Sequence, residues 1–175
     1  AVRDKRGFRP LSLGKLDGAY VIASETCAFD LIHAEFIRDI EPGEILFITE
    51  KGLKSVYISE KKPKSSFCIF EYIYFSRPDS NIYGHNVHLA RKRLGRELAK
   101  EAPCKADLVI AIPDSGSSAA IGYSEQSGIA LEMGMVRNHY IGRTFIQPAQ
   151  HIRDLSVRVK LNPIKDVVRG KKIVV

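Results

Sequence analysis

The run Val109-Ile110-Ala111-Ile112-Pro113-Asp114-Ser115-Gly116-Ser117-Ser118 constrains this chain more than any other stretch. Its apolar, partly β-branched opening, closed by a proline, reads as a buried strand of the parallel kind over Leu108 to Ile112. The small polar turn that follows opens a helix from about Ser117 to Gln126. A strand that enters a helix through hydroxyl residues and Gly aims backbone N–H groups, and the positive end of the helix dipole, at whatever sits above the strand's C-terminal end. Phosphate suits such a place. An ordinary Asp or Ser N-cap behind a tight Pro turn suits the same residues, and position alone does not separate the two readings.

Charge placement brings in a second signal. The whole net charge of +7 lies in residues 137–175, where nine Lys or Arg face only Asp154 and Asp166, whereas the first 136 residues balance. This basic part opens with Arg137-Asn138-His139-Tyr140-Ile141-Gly142-Arg143-Thr144-Phe145-Ile146-Gln147-Pro148, in which charges are interleaved with Tyr, Gly, Thr and apolar residues. Such a stretch is neither a Lys/Arg tract nor an amphipathic helix. It reads as a loop able to close over an anion, and a pyrophosphate at the Asp114 turn would want mobile Arg and Tyr groups to cover it.

With 175 residues, 45% of them hydrophobic, the chain can bury a core as one complete domain or two partial ones. It starts at Ala1 and stops within Lys171-Lys172-Ile173-Val174-Val175, a run typical of a buried strand, so it is expected to be part of something longer. No stretch approaches the ~20 apolar residues of a membrane span, which points to a soluble protein without a membrane partner. Cys27, Cys68 and Cys104 are odd in number and lack metal-knuckle spacing, so neither a disulfide framework nor a zinc site is expected, and a reducing cytoplasm fits.

The one shift of composition is the polar run 59–66, which divides the chain into residues 1–60 and 61–175. The first part is α+β in pattern. Ala19 to Ala23 and Glu44 to Thr49 read as strands, Cys27 to Ile37 as a short helix, and Pro42-Gly43 as a turn. In the second part, Cys68 to Phe75 reads as a strand and His85 to Ala102 as a helix with Val87, Ala90, Leu94 and Leu98 on its apolar face. On the same helix Arg91, Lys92, Arg93, Arg96 and Lys100 read as a solvated face. Strand alternating with helix predicts a parallel α/β sheet.

Three stretches carry a resemblance to a known family. They are Cys68-Ile69-Phe70-Glu71-Tyr72-Ile73-Tyr74-Phe75-Ser76-Arg77-Pro78-Asp79-Ser80, Ile112-Pro113-Asp114-Ser115, and the Arg137 to Pro148 segment. In order and spacing they resemble the glutamine-dependent amidophosphoribosyltransferases. Upstream, Arg3-Asp4-Lys5-Arg6-Gly7-Phe8-Arg9-Pro10-Leu11 and Ala23-Ser24-Glu25 resemble the closing part of that family's glutaminase domain. The resemblance implies the end of an Ntn-type glutaminase domain over 1–60 and the first part of a type I phosphoribosyltransferase domain over 61–175.

It also implies a two-site enzyme. An N-terminal Cys, absent from this chain, releases ammonia from glutamine, and the ammonia displaces pyrophosphate from phosphoribosyl pyrophosphate to give 5-phosphoribosylamine, the first committed step of purine synthesis. By this resemblance Asp114, Ser115 and Gly116 match the pyrophosphate loop, with Ser115 at the hydroxyl position that approaches Mg²⁺. Arg137, Asn138, Tyr140, Gly142, Arg143 and Thr144 match the flexible loop that closes over the sugar phosphate; of these, Arg137, Tyr140, Arg143 and Thr144 are the expected catalytic group. The family usually has Lys where this chain has Arg137 and Arg where it has His139. The first departure keeps the charge and changes the donor geometry. Purine nucleotides as feedback inhibitors, and a dimer or tetramer, are further implications. On its own the chain is expected to be catalytically inactive.

Cys68 carries two readings. Some members of the family hold a [4Fe-4S] cluster whose first ligand stands here, and such a cluster takes ~four Cys thiolates; others have a Cys here and no cluster, so that it is a small buried apolar residue. His33, His85, His88 and His151 have no metal spacing with a carboxylate and are assigned no role. Arg77-Pro78-Asp79-Ser80 reads as a turn after a strand, with Arg77 within reach of a phosphate. The rival reading, a basic nucleic-acid-binding module, rests on the sequence pI near 9.4. It lacks a recognised reader motif and aromatic interleaving beyond one Tyr and one Phe.

Overall fold

The computed structural model describes residues 1–58, 64–140, 142 and 150–175. The polar run at 59–66 therefore lies largely outside the described residues. The chain divides into two compact units, Ala1–Ala90 and Arg91–Val175.

The first unit is built on short antiparallel strands. β1 (Ser12–Leu16) pairs with β2 (Ala19–Ala23) through a two-residue turn at Asp17 and Gly18, both at positive φ, which is the geometry a tight hairpin demands. Helix α1 (Cys27–Ile32) follows, and β3 (Glu35–Asp39) returns to the other side of β1. The helix expected over Cys27 to Ile37 thus ends five residues early. His33 takes the left-handed conformation (φ 56°), and Ala34 N–H closes on Phe29 O at 2.9 Å, a helix stop. Phe36 and Ile37 then fill the open edge of β1, where β-favouring residues pair better than they would coil. β4 (Glu44–Thr49) and β5 (Gly52–Tyr57) form a separate hairpin. Leu13, Ile40 and Leu46 make the core beneath these strands.

Arg3 shows why the Arg-Asp start matters for folding. It is buried, and its guanidinium donates to the carbonyls of Arg9, Ile40 and Gly7, so one side chain ties three backbone segments. Glu44, fully buried, is its acidic counterpart. Arg38 reaches it with both Nη atoms at 2.9 and 2.6 Å, Ser55 Oγ–H donates at 2.6 Å, and Glu41 N–H at 2.7 Å. The Arg38 guanidinium, then the Ser55 hydroxyl and the Glu41 amide, outweigh burial and lower the carboxyl pKa from 4.5 to about 2. A carboxylate depressed on folding stabilises the fold fully above its unfolded pKa and loses that contribution as pH falls through the folded one. Between pH 4.5 and 2 the first unit should therefore lose about 2 kcal/mol through this group, discounted because Arg38 is partly exposed. Glu44→Gln should flatten the pH dependence of the denaturation midpoint in that window, and an unchanged slope would show that other carboxylates carry acid sensitivity.

Cys68 to Phe75 is not a strand. Glu71–Phe75 forms a π-helical turn, and the reason is the buried Glu71. Its carboxylate takes Ser76 Oγ–H at 2.6 Å, its carbonyl takes Ser76 N–H at 3.2 Å, and Arg9 Nη1 lies at 2.9 Å. Both Ser76 bonds span five residues, which is the π spacing, so the aromatic run coils around a charge that a strand would leave unmet. Tyr72 packs with Ile82 and Val87 and donates its hydroxyl to Ile82 O at 2.5 Å. The small ribbon of β6 (Asn81–Ile82) and β7 (His85–Asn86) completes this corner.

Helix α2 (Val87–Glu101) begins in the first unit and ends in the second. In the second unit, β8 (Leu108–Val109) runs into α3 (Ser117–Ser127), and β9 (Met135–Arg137) pairs antiparallel with β10 (Leu161–Pro163) around α4 (Gln150–Lys160). α5 (Lys165–Val168) and β11 (Ile173–Val174) close the chain. β11 lies parallel to β8, and Leu131 bridges to Val109, also in parallel, on the other side. β8 is thus the middle of a parallel arrangement, as the alternation of elements predicts. Ala99, Val109, Ala120 and Tyr123 form its core.

The faces of α2 differ from expectation. Leu94 and Leu98 are about half exposed. Of the side read as solvated, Arg93 and Lys100 are exposed as expected, but Arg91 is buried, and Lys92 and Arg96 pair with Glu125 of α3 at 2.5 and 2.7 Å, lowering the Glu125 pKa. Backbone proximity explains the choice. A Cβ on Gly95 would lie 2.0 Å from Ala119 O, and one on Gly122 would lie 1.9 Å from Lys92 O, so the helices cross where each offers a glycine.

Candidate phosphate-binding site

β8 ends because its next residues turn. Ile110 N–H still bonds to Val174 O at 2.8 Å, but Ile112 O accepts Gly116 N–H at 3.1 Å and Asp114 O accepts Ser117 N–H at 3.2 Å, which folds Pro113 to Gly116 into a compact loop at the start of α3. The peptide between Pro113 and Asp114 is cis. Gly116 is required by space, since a Cβ there would stand 2.9 Å from Ile112 O. No side chain caps α3, so neither Asp114 nor Ser115 acts as the ordinary cap that the sequence also allowed. Among the described residues the Ser115 hydroxyl makes no hydrogen bond.

Asp114 points its carboxylate at Arg137, the last residue of β9, with Nη1 to Oδ2 at 2.5 Å. Pairing with β10 fixes that position, because Arg137 faces Leu161 in the ladder and Asn138 N–H donates to Lys160 O at 2.7 Å. Arg137 Nε is buried without a hydrogen-bond partner among the described residues, an already desolvated donor beside the loop. Tyr140 is 99% exposed, its N–H held by Asn138 Oδ1 at 3.0 Å. Gly142 O accepts Lys160 Nζ at 2.9 Å. Arg143 and Thr144 lie outside the described residues. A cavity of about 350 Å³ opens beside the loop, lined by Pro113, Ser117, Ile121, Glu132, Met133 and Met135.

The structure therefore joins Asp114, Ser115, Gly116 and Arg137 in one place. Lys160 escaped sequence reasoning: it binds both the start and the middle of the Arg137 segment, and its only signal was a basic residue closing a helix that the sequence reading did not place. Cys68 is half-buried with a free thiol, its N–H on Phe8 O, and no group of three or more His, Cys, Asp or Glu able to hold a metal ion occurs among the described residues.

No protein-family model matches the chain. It is 54% identical over its whole length to the amidophosphoribosyltransferase of Mycobacterium tuberculosis, 54% identical over 171 residues to that of Bacillus subtilis, and 49% identical over 177 residues to the chloroplastic one of Glycine max. Over essentially its whole length the chain is similar in sequence and in fold to one part of the amidophosphoribosyltransferases. It spans about a third of the length of these relatives, 33%, 36% and 31% respectively. Among solved structures it superposes with a TM-score of 0.87 on the Bacillus subtilis glutamine phosphoribosylpyrophosphate amidotransferase complexed with ADP and GMP, at 54% identity over 97% of this chain and 37% of that one. A second solved structure, of the allosteric regulatory enzyme of purine biosynthesis, gives the same TM-score and identity over 97% of this chain and 36% of that one.

Proposed function

We propose that the full-length protein is an amidophosphoribosyltransferase, transferring ammonia from glutamine to phosphoribosyl pyrophosphate to give 5-phosphoribosylamine, glutamate and pyrophosphate. The observation that carries this reading is the Arg137–Asp114 pair over the Ser115–Gly116 loop. The carboxylate of Asp114 occupies the guanidinium that a pyrophosphate, with its higher charge, would claim. On binding, Arg137 would exchange one anion for another, and its unpartnered Nε would gain an acceptor. Donors held in place before the bond breaks stabilise the leaving pyrophosphate most, because they need no reorganisation as charge develops.

The residues of the loop fit Mg²⁺ held mainly by substrate oxygens: one free hydroxyl, Ser115, and a carboxylate already engaged by Arg137 make a partial ligand set of hard oxygen atoms. When bound, the ion would neutralise charge on the departing pyrophosphate. Ser115 would orient it, Gly116 lets the backbone come close, and Tyr140, Arg143 and Thr144 are assigned to covering the site against water, the competing nucleophile. Cys68, half-buried with a free thiol, supplies one of the ~four thiolates a [4Fe-4S] cluster takes, and serves equally as a small apolar residue of this corner.

Glutamine and phosphoribosyl pyrophosphate are the proposed substrates, purine nucleotides the proposed regulators in an oligomeric enzyme of the cytoplasm. Among the described residues no helix is long and apolar enough to cross a membrane. Of the nine basic residues in 137–175, Arg137 engages Asp114 and Lys160 engages Gly142, both beside the loop that a phosphate-bearing small molecule would occupy.

The test is pyrophosphate release by the full-length protein, with glutamine or ammonia as donor, beside Tyr140→Ala. Loss of about 10²-fold with both donors would place Tyr140 in the transferase step. Loss with glutamine alone would place it in coupling. A folded parent that releases no pyrophosphate with either donor overturns the assignment.

A further inference from the structure

Lys160 has no part in the transfer chemistry proposed above, yet it holds the Arg137 segment at two points. It closes α4, and of that helix's residues only Arg153, Ser156 and Lys160 are partly shielded, spaced i, i+3 and i+7 along one side, while Leu155, Val157 and Val159 are exposed. The shielded side of α4 is its polar one. α4 passes directly into β10, so the helix sets the register that places Leu161 opposite Arg137.

The last carbonyls of a helix lack partners within it. That of Lys160 takes the Asn138 N–H at 2.7 Å, which carries the ladder one residue beyond the end of β9. The side chain of the same residue donates from Nζ to Gly142 O at 2.9 Å. Tyr140 stands in the chain between these two holds; it is 99% exposed, and its N–H is taken by Asn138 Oδ1 at 3.0 Å. Arg137 lies at the base of the arrangement, with Val136 paired to Asn162 on one side and Asn138 bonded to Lys160 on the other. The guanidinium that meets Asp114 thus projects from backbone held at both neighbours. A charge-assisted bond to a backbone carbonyl acts on the course of the chain and not on any one side chain.

We propose that Lys160 is a positioning residue for the phosphoribosyl step: its ammonium, by holding Gly142 O, fixes the course of the chain around Tyr140 and keeps the Arg137 segment ordered ahead of a pyrophosphate-bearing substrate. The inference rests on the amidophosphoribosyltransferase reading of the full-length protein. A segment that must be ordered at the moment of binding weakens affinity by the entropy it loses, and one already held loses less. Lys160 therefore acts on affinity for the substrate and leaves the bond-breaking step alone.

The experiment uses the full-length protein with ammonium chloride as donor and reads KM for phosphoribosyl pyrophosphate, kcat, and the Kd of pyrophosphate with Mg²⁺ by calorimetry. Lys160→Met, which keeps most of the aliphatic stem and loses the ammonium, is expected to raise KM and Kd about tenfold with kcat within about threefold of the parent. Lys160→Arg, still able to donate to a carbonyl, should bring KM back to within about threefold. Asn138→Ala frees the Tyr140 amide and should raise KM as well. In the variant carrying both Asn138→Ala and Lys160→Met the rise should fall well short of the product of the two single factors, because both act on one segment. Factors that multiply in full would make Lys160 a direct contact of the anion and overturn the positioning role. So would a fall in kcat with KM unmoved, a lowered KM, or no recovery in Lys160→Arg. Should Lys160→Met not fold, Lys160→Gln, neutral and one atom shorter, decides by the same readings. A parent that neither turns over nor binds pyrophosphate refutes the enzymatic reading itself, whereas an active parent whose KM is indifferent to Lys160→Met refutes only the role of Lys160.

Discussion

Gly122→Ala in the full-length protein is expected to destabilise it by about 3 kcal/mol, although alanine is the better helix former by about 1 kcal/mol. The contact decides the sign. The new Cβ would stand 1.9 Å from Lys92 O and 2.8 Å from its carbonyl carbon, backbone atoms that no rotamer change can move aside. α3 must retreat from α2, which opens the packing of Ala120 and Tyr123 against Val109 and strains the Lys92–Glu125 and Arg96–Glu125 pairs. Gly95→Ala should cost a similar amount, and the double variant less than the sum, since one separation of the helices relieves both clashes. Urea denaturation reads all three, with a midpoint drop of about 1–2 M for the single variants. A midpoint raised by the propensity gain would show that the two helices do not meet at these glycines.

Arg137→Ala carries the second large effect. Removing a donor preorganised for a leaving anion costs about 10²–10³ in turnover, and here it also leaves Asp114 facing the incoming pyrophosphate with its charge uncompensated. Pyrophosphate release by the full-length protein should fall by that factor with glutamine and with ammonia alike, because the loss lies in the phosphoribosyl step. Arg137→Lys should retain activity within about tenfold, since the ammonium keeps the charge while giving up the fork of donors. Alanine losses confined to the glutamine reaction would move Arg137 from leaving-group stabilisation to coupling.

The parts of this fold that the sequence announces are those fixed by local rules. β2 and β4 stand at Ala19–Ala23 and Glu44–Thr49 as alternation and flanking turns require, and α3 stops at Gly128 in the left-handed conformation one residue past its end. The turn of Pro113 to Gly116 into α3 is legible for the same reason: strand, Pro, small residues and helix are contiguous. What misleads is chemistry whose partner lies elsewhere. Glu71 looks like an interruption in an aromatic strand until Ser76 and Arg9 are seen to meet its charge. Lys92 and Arg96 look solvated until Glu125 appears across from them, and Gly95 looks like a weak spot in a helix until Ala119 O fills the space its side chain would take. α4 and β10 lack such a local signal, because the interleaved charges after Arg137 read as one loop ahead of the last strand.

The placing of β8 bears on how the protein is made. One flank of this strand is covered by Leu131, some twenty residues downstream, but the other waits for Ile173, and the bond from Lys172 N–H to Asp107 spans 65 residues. At ribosomal speeds of about 5–20 residues per second, the middle strand emerges roughly 3–13 s before its second neighbour exists. During that interval Val109 and Ile110 present an open, apolar edge to the cell. The order of translation, not only the final register, thus decides when the Pro113–Gly116 loop acquires its support, and it marks this interval as the one in which a chaperone would be most useful to the nascent protein.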